Sequence, residues 1–137
     1  MSAGPSDRLL NPLAKARGLF EQPNLAHFAT VMADGRPTSV PLWVGVEGEQ
    51  LAVLTIPDSI KDRNICRDPR VAMSLTPADN PYQMASVRGR VAERVTGEAA
   101  WPIIDRIAHQ YTGGPYPERT NRVVFLIDVE VAWSHTF

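Results

Sequence analysis

The chain from Thr55 to Val71 reads Thr55-Ile56-Pro57-Asp58-Ser59-Ile60-Lys61-Asp62-Arg63-Asn64-Ile65-Cys66-Arg67-Asp68-Pro69-Arg70-Val71. An apolar run, Leu51 to Ile56, delivers the chain as a strand to a turn at Pro57. Asp58 or Ser59 can cap a short helix from about Ile60 to Cys66, which Asp68-Pro69 ends. Val71 to Leu75 is strand-like again. The start of such a helix carries free N–H groups and the positive end of the helix dipole, and both favour an anion. Ser59 adds a hydroxyl. Lys61 and Arg63 add positive charge within the first turn or so, the end of a helix where cations are disfavoured, so they need a reason. A bound phosphate supplies one. A solvated surface helix, with Asp58 and Asp62 neutralising Lys61 and Arg63, is the alternative. Spacing alone leaves both open.

Upstream, Asn11-Pro12 reads as a helix start, with Asn as cap and Pro at the first helical position. Leu13, Ala16, Leu19 and Phe20 share one helical face, and Pro23 marks the exit, so residues 1–23 form an N-terminal helical segment. Leu25 to Met32 and Thr38 to Val46 read as strands joined across Asp34-Gly35, a type I′ signal that needs positive φ at both central positions. Glu47-Gly48-Glu49 makes the next turn. Downstream, Pro77 to Pro81 forms a loop. Tyr82 to Val95 reads as a long strand in which Gly89 marks a bulge or a close backbone approach. Thr96 caps a helix whose Ile103, Ile104, Ile107, Ala108 and Tyr111 lie at amphipathic spacing. Gly113-Gly114-Pro115 stops it, and Asn121 to Trp133 supplies the last strand. Six strands with short helices between them predict a small antiparallel barrel capped at its ends.

The composition agrees. With 137 residues, 44% hydrophobic and 21% charged, the chain suffices for one domain, 1–137, with its own core. Twelve prolines spread along it disfavour a helical bundle. Fourteen basic against fifteen acidic residues argue against a dedicated nucleic-acid binder. No apolar run reaches the ~18 residues of a membrane span. The first twenty residues carry Asp7, Arg8, Lys15 and Arg17, so no signal-peptide core is read there. With Cys66 alone no internal disulfide forms, and a cytoplasmic location is the expectation. Cys66 is expected to pack as a small apolar residue. Arg67, Asp68 and Arg70 read as a surface salt-bridge cluster, and Trp43, Trp101 and Trp133 as core or interface. His27, His109 and His135 lie far apart, so no metal site is expected. No acid, base and nucleophile cluster is visible. No catalytic side chain is nominated, and an enzyme built on this chain would borrow its chemistry from a cofactor.

The order Thr55-x-x-x-Ser59-x-Lys61-x-x-x-Ile65-x-x-Asp68-Pro69-x-Val71 resembles the phosphate-binding segment of the flavin-binding split-barrel group, the pyridoxamine-phosphate-oxidase-like superfamily. Leu25-Ala26-His27-Phe28-Ala29-Thr30 with Asp34-Gly35-Arg36-Pro37 is similar to that group's opening hairpin. The compact length, Lys61-Asp62-Arg63-Asn64 and Tyr111-Thr112-Gly113-Gly114 are similar to its actinobacterial deazaflavin branch, which uses coenzyme F420. The similarity runs from about Asn24 to Val131.

The resemblance implies a six-stranded antiparallel split β-barrel with flanking short helices. It implies that Lys61, with Ser59, Arg63 and Asn64, holds the cofactor phosphate, and that Thr55 and Ile56 lie beside the ribityl chain and ring edge. The backbone of Ser39, Val40 and Pro41 would run along the ring, with Pro41 lacking an N–H to offer. Arg63, Arg67 and Arg70 would form a basic exit for the deazaflavin tail. The family is homodimeric with the cofactor at the subunit boundary, where Tyr82 would face the partner's cofactor; an ordinary strand-start aromatic is the other reading of Tyr82. The implied activity is hydride transfer between reduced F420 and an electron-poor conjugated small molecule. The alternatives are an FMN-binding oxidase or reductase and a non-catalytic protein that binds a cofactor or tetrapyrrole.

Overall fold

In the computed structural model, which describes residues 11–137, burial alternates with period two along β1 (Ala26–Val31). Ala26, Phe28 and Thr30 turn inward while His27 is exposed and Ala29 and Val31 are half-buried. That is the pattern of a strand with one face on a core. The same alternation recurs in β2 (Pro37–Leu42) and β5 (Arg70–Leu75). β3 (Gly45–Glu47), β4 (Gln50–Thr55), β6 (Gln83–Val95) and β7 (Val123–Thr136) complete one sheet in the order β2-β1-β5-β6-β7-β4-β3, every neighbouring pair antiparallel. Three helices flank it: α1 (Arg17–Phe20), α2 (Ile60–Arg67) and α3 (Ala100–Thr112).

The two end strands of this sheet are consecutive in the chain. Only Trp43 and Val44 separate β2 from β3. Laid flat, the ends of seven strands would stand roughly 29 Å apart at about 4.8 Å per spacing. The three steps from Leu42 to Gly45 span at most about 11 Å. The sheet must therefore curl until its ends meet, and the result is a split antiparallel barrel. The strand count is seven, not the six expected, because Thr38–Val46 breaks at this crossing. At the break, Val44 bonds to a helix instead of a strand. Its N–H donates to the Tyr111 hydroxyl (3.1 Å), and its carbonyl accepts from Gln110 Nε2 (2.9 Å). Tyr111 also donates to Asn24 O at 2.6 Å.

Other expectations need local correction. The first hairpin is not type I′. Gly35 has φ 89°, but Asp34 is not in the left-handed region. Gly35 N–H donates to Met32 O and Met32 N–H to Arg36 O, a three-residue loop with glycine in the bulge position. The N-terminal segment, of which residues 1–10 lie outside the described residues, is not one helix. Asn11 caps a 3₁₀ turn over Pro12–Lys15, Ala16 departs from helical geometry, and α1 follows. Leu13, Ala16, Leu19 and Phe20 are nonetheless all buried. Thr96 precedes a 3₁₀ turn, Gly97–Ala99, without a side-chain capping bond. Gly113 does end α3, at φ 80°, with its N–H on His109 O.

The barrel interior is filled by Phe20, Phe28, Leu51, Phe125 and Ile127, all fully buried. A second cluster, Ala52, Ile104, Ile107 and Val124, lies between α3 and the outer face of β4 and β7. Gly89 sits at a register shift where a Cβ would lie 2.1 Å from Asp128 O, so both readings of that glycine hold. Among the described residues no helix is long and apolar enough to cross a membrane.

Candidate functional site

β4 ends at Thr55, and five residues later α2 begins. Ser59 is the cap, with extended backbone and its Oγ accepting from Asp62 N–H at 3.2 Å. The same Oγ lies 3.0 Å from Thr55 Oγ1, which ties the strand end to the helix start. Asp58 takes φ 66°, a left-handed conformation that Asp tolerates better than most residues. Its N–H donates to Asp62 Oδ2 at 2.8 Å.

Asp62 is the anchor of this turn. It is 4% exposed and accepts a bidentate pair from Arg94 at the far end of β6, Nε to Oδ1 at 2.8 Å and Nη2 to Oδ2 at 2.7 Å. Cys66 Sγ reaches Oδ1 at 3.6 Å. The Arg94 hydrogen bonds, with lesser help from the Asp58 N–H, hold the Asp62 carboxyl below the usual carboxylate range against the opposing effect of burial. Arg94 in turn is held above its ordinary value, chiefly by Asp62.

That pairing bears on the two readings of the helix start. Asp62 does not neutralise Lys61 or Arg63, because its charge is committed to Arg94. Among the described residues neither Lys61 nor Arg63 is in an ion pair, and Ile60 N–H and Lys61 N–H have no acceptor. Two cations, a hydroxyl and two backbone donors at one helix end, beside the exposed Asp58, are a donor set that fits a phosphate group. Beside them a hollow of about 510 Å³ is lined by Asp58, Asp62, Arg63, Cys66 and Arg67.

The remaining nominated residues fall in three places. Asn64 turns inward. It is 2% exposed and its Nδ2 donates to Thr30 Oγ1 at 3.0 Å, so it is a strut between α2 and β1. Ser39, Val40 and Pro41 lie on β2, the strand next to β1, with Ser39 and Pro41 exposed and Val40 half-buried. Ile56 is exposed beyond the end of β4. Tyr82 is 64% exposed just before β6. It lies twelve residues before Arg94, at the opposite end of a strand advancing about 3.3 Å per residue, so it does not join this site within one chain.

Of the basic trio, Arg70 is spent on Asp68, at 3.0 and 2.6 Å. That pair holds the Asp68 carboxyl down to about 2. Arg63 and Arg67 remain to line the hollow. Cys66 is exposed and does not pack as an apolar residue. Trp133 is also exposed, on the outer face of β7, whereas Trp43 stacks on Tyr111 with ring centroids 5.0 Å apart. Sequence reasoning missed Arg94 altogether. It lies thirty-two residues from Asp62, and only the path of β6 across the barrel brings the two together.

Comparison with known proteins covers nearly the whole chain. A family model described as pyridoxamine 5′-phosphate oxidase matches residues 13–136. No curated protein matches by sequence. Among solved structures, an F420 reductase is 32% identical with a TM-score of 0.75, covering 85% of this chain and 94% of its own. A conserved hypothetical protein from Mycobacterium tuberculosis is 22% identical (TM-score 0.72), covering 99% of this chain and 86% of its own. An FAD-binding protein from Mesorhizobium loti is 17% identical (TM-score 0.63), covering 88% of this chain and 91% of its own. The last two likenesses show the fold alone.

Proposed function

We propose, from the premise that this chain belongs to the pyridoxamine 5′-phosphate oxidase family, that it is an oxidoreductase working with a flavin-type cofactor. Coenzyme F420 is the first choice and FMN the alternative. The observation that carries the reading is the helix start: among the described residues Lys61 and Arg63 are in no ion pair, while the Asp62 carboxylate is paired with Arg94. The 32% identity to an F420 reductase supports the choice of cofactor.

In this reading Lys61 and Arg63 hold the cofactor phosphate with the Ser59 hydroxyl and the first backbone N–H groups of α2. Thr55 and Ile56 flank the ribityl chain, and the backbone of Ser39, Val40 and Pro41 runs along the ring. Asn64 contributes by fixing α2 on Thr30 of β1. When bound, the reduced cofactor supplies hydride for an electron-poor conjugated small molecule. The chain's own residues orient the two partners and keep the slot dry. None of them is assigned a proton transfer.

A homodimer completes the site. Tyr82 and Trp133 are exposed, and a groove of about 650 Å³ on the outer face of the sheet is lined by Ala29, Ala72, Arg88 and Val131 among others. A second copy seated there brings its Tyr82 toward a cofactor that Tyr82 cannot reach in its own chain.

Titrating the purified protein with F420 and with FMN, followed by fluorescence, tests the reading. F420 is expected to bind at least tenfold more tightly. Lys61→Glu should weaken binding by tenfold or more, since one charge-assisted contact contributes about 1.5–3 kcal/mol and reversal adds repulsion. Undiminished binding in Lys61→Glu overturns the phosphate assignment. A tenfold preference for FMN overturns the choice of F420. A protein that binds F420 yet oxidises none of its reduced form with any acceptor is a binder, not an enzyme.

A further inference from the structure

In the first hairpin Met32 N–H donates to Arg36 O at 2.8 Å, so Met32 and Arg36 form a hydrogen-bonded pair. Antiparallel pairs alternate between bonded and non-bonded. The register then makes Val31↔Pro37, Ala29↔Ser39 and His27↔Pro41 the non-bonded pairs. At these three positions of β2 the backbone groups point away from β1. Because β2 ends the sheet, they point off its open edge, and all three residues are exposed. Two of the three are prolines. Between residues 37 and 41 the edge therefore offers three carbonyls and one N–H, that of Ser39.

We infer that Pro41 is a specificity-determining residue that favours a 5-deazaflavin over a flavin, an inference that rests on the function proposed above. The two ring systems differ at one central atom. In an oxidised flavin this is a nitrogen with a lone pair that accepts a hydrogen bond. In the deazaflavin it is a carbon bearing hydrogen, which accepts nothing. A ring laid along Ser39–Pro41 meets a donor only at Ser39, two residues or about 6.6 Å from position 41. That single N–H serves one end of the ring and not both. A flavin there leaves an acceptor desolvated and unpaired, whereas the carbon–hydrogen group packs against the proline ring at no such cost. Sites that discriminate in this way exploit the missing partner more than any added contact.

The test restores the donor. Pro41→Ala puts an N–H at position 41, and Pro37→Ala does the same at the far end of the edge as a control. Each variant and the parent are titrated with FMN and with F420 by fluorescence, and thermal unfolding verifies that each is folded. Pro41→Ala is expected to shift the ratio of FMN to F420 affinity three- to tenfold toward FMN, the worth of one neutral hydrogen bond. Pro37→Ala should move that ratio by no more than twofold. If the parent binds F420 but Pro41→Ala leaves the ratio unchanged, or Pro37→Ala shifts it equally, the role of Pro41 falls and the function stands. If the parent binds neither cofactor, the function falls, and this role with it.

Discussion

Replacing Asp62 by Asn keeps the shape of the side chain and removes the charge that Arg94 grips. Asp62 Oδ2 now accepts from both Asp58 N–H and Arg94 Nη2, at 2.8 and 2.7 Å, and Oδ1 accepts Arg94 Nε at 2.8 Å. An amide has one oxygen, so its NH₂ must face at least one of these donors. Two charge-assisted hydrogen bonds at about 1.5–3 kcal/mol each set an upper range. Side-chain exposure is 5% for Asp62 but 38% for Arg94, so water recovers part of the arginine's loss. A net cost of about 2–3 kcal/mol follows, and at roughly 3–5 °C per kcal/mol for a chain of this size the melting point drops by about 6–15 °C.

The assay is thermal or urea unfolding at pH 7, with Arg94→Gln and the double variant completing a cycle. Coupling of about 1–3 kcal/mol between the two sites is expected. The pH dependence has a definite sign. The folded carboxyl titrates below 3.8, so its contribution is complete above that pH and is lost as pH falls through the lowered folded value. The gap between parent and Asp62→Asn should close over that range. Additive single-site effects, or a melting point within 2 °C of the parent, would refute the account of Asp62 as the anchor of the turn.

Two further outcomes test the frame. Gly89→Ala would place a Cβ 2.1 Å from the Asp128 carbonyl, about 1 Å inside contact with backbone that cannot swing aside. Parting β6 from β7 should cost about 3 kcal/mol or more, and a melting point within 3 °C of the parent would contradict the register given for that pair. Tyr111→Phe removes the acceptor for Val44 N–H and the donor to Asn24 O, a loss of about 1–3 kcal/mol by urea unfolding. Burial, the leading cause, raises the Tyr111 hydroxyl above its ordinary 10. The parent should therefore lose this contribution as pH climbs from 10 through the raised folded value, while the Phe variant shows no such loss.

The helix start was legible because its signals are local. Pro57, the Ser59 cap and Asp68-Pro69 act within a few residues of one another, and the structure places α2 within one residue of where they put it. The residues gathered at that helix start could be named too, but not their ion pairing. Whether Asp62 neutralises its neighbours depends on Arg94, and no feature of residues 55–71 points to β6. Similarly, Thr38–Val46 is apolar and extended enough to read as one strand. The break at Trp43-Val44 is set by Gln110 and Tyr111, more than sixty residues away. Asp34-Gly35 marked the hairpin correctly and its turn type wrongly, because the same dipeptide also suits a loop one residue longer. Asn64 was named as a ligand on the family resemblance alone; the helix rotation that buries it is fixed by contact with β1.

The short link across the barrel's seam bears on how the molecule opens. Trp43 stacks on Tyr111, and Val44 has both its backbone groups bound by α3. The seam cannot part while that helix stays docked, nor can the helix leave without freeing the seam. Opening of the split edge and undocking of α3 are one cooperative event. The Val44 amide is its natural reporter, since in native-state hydrogen exchange it should share the opening free energy of the helix and not that of the strands on either side.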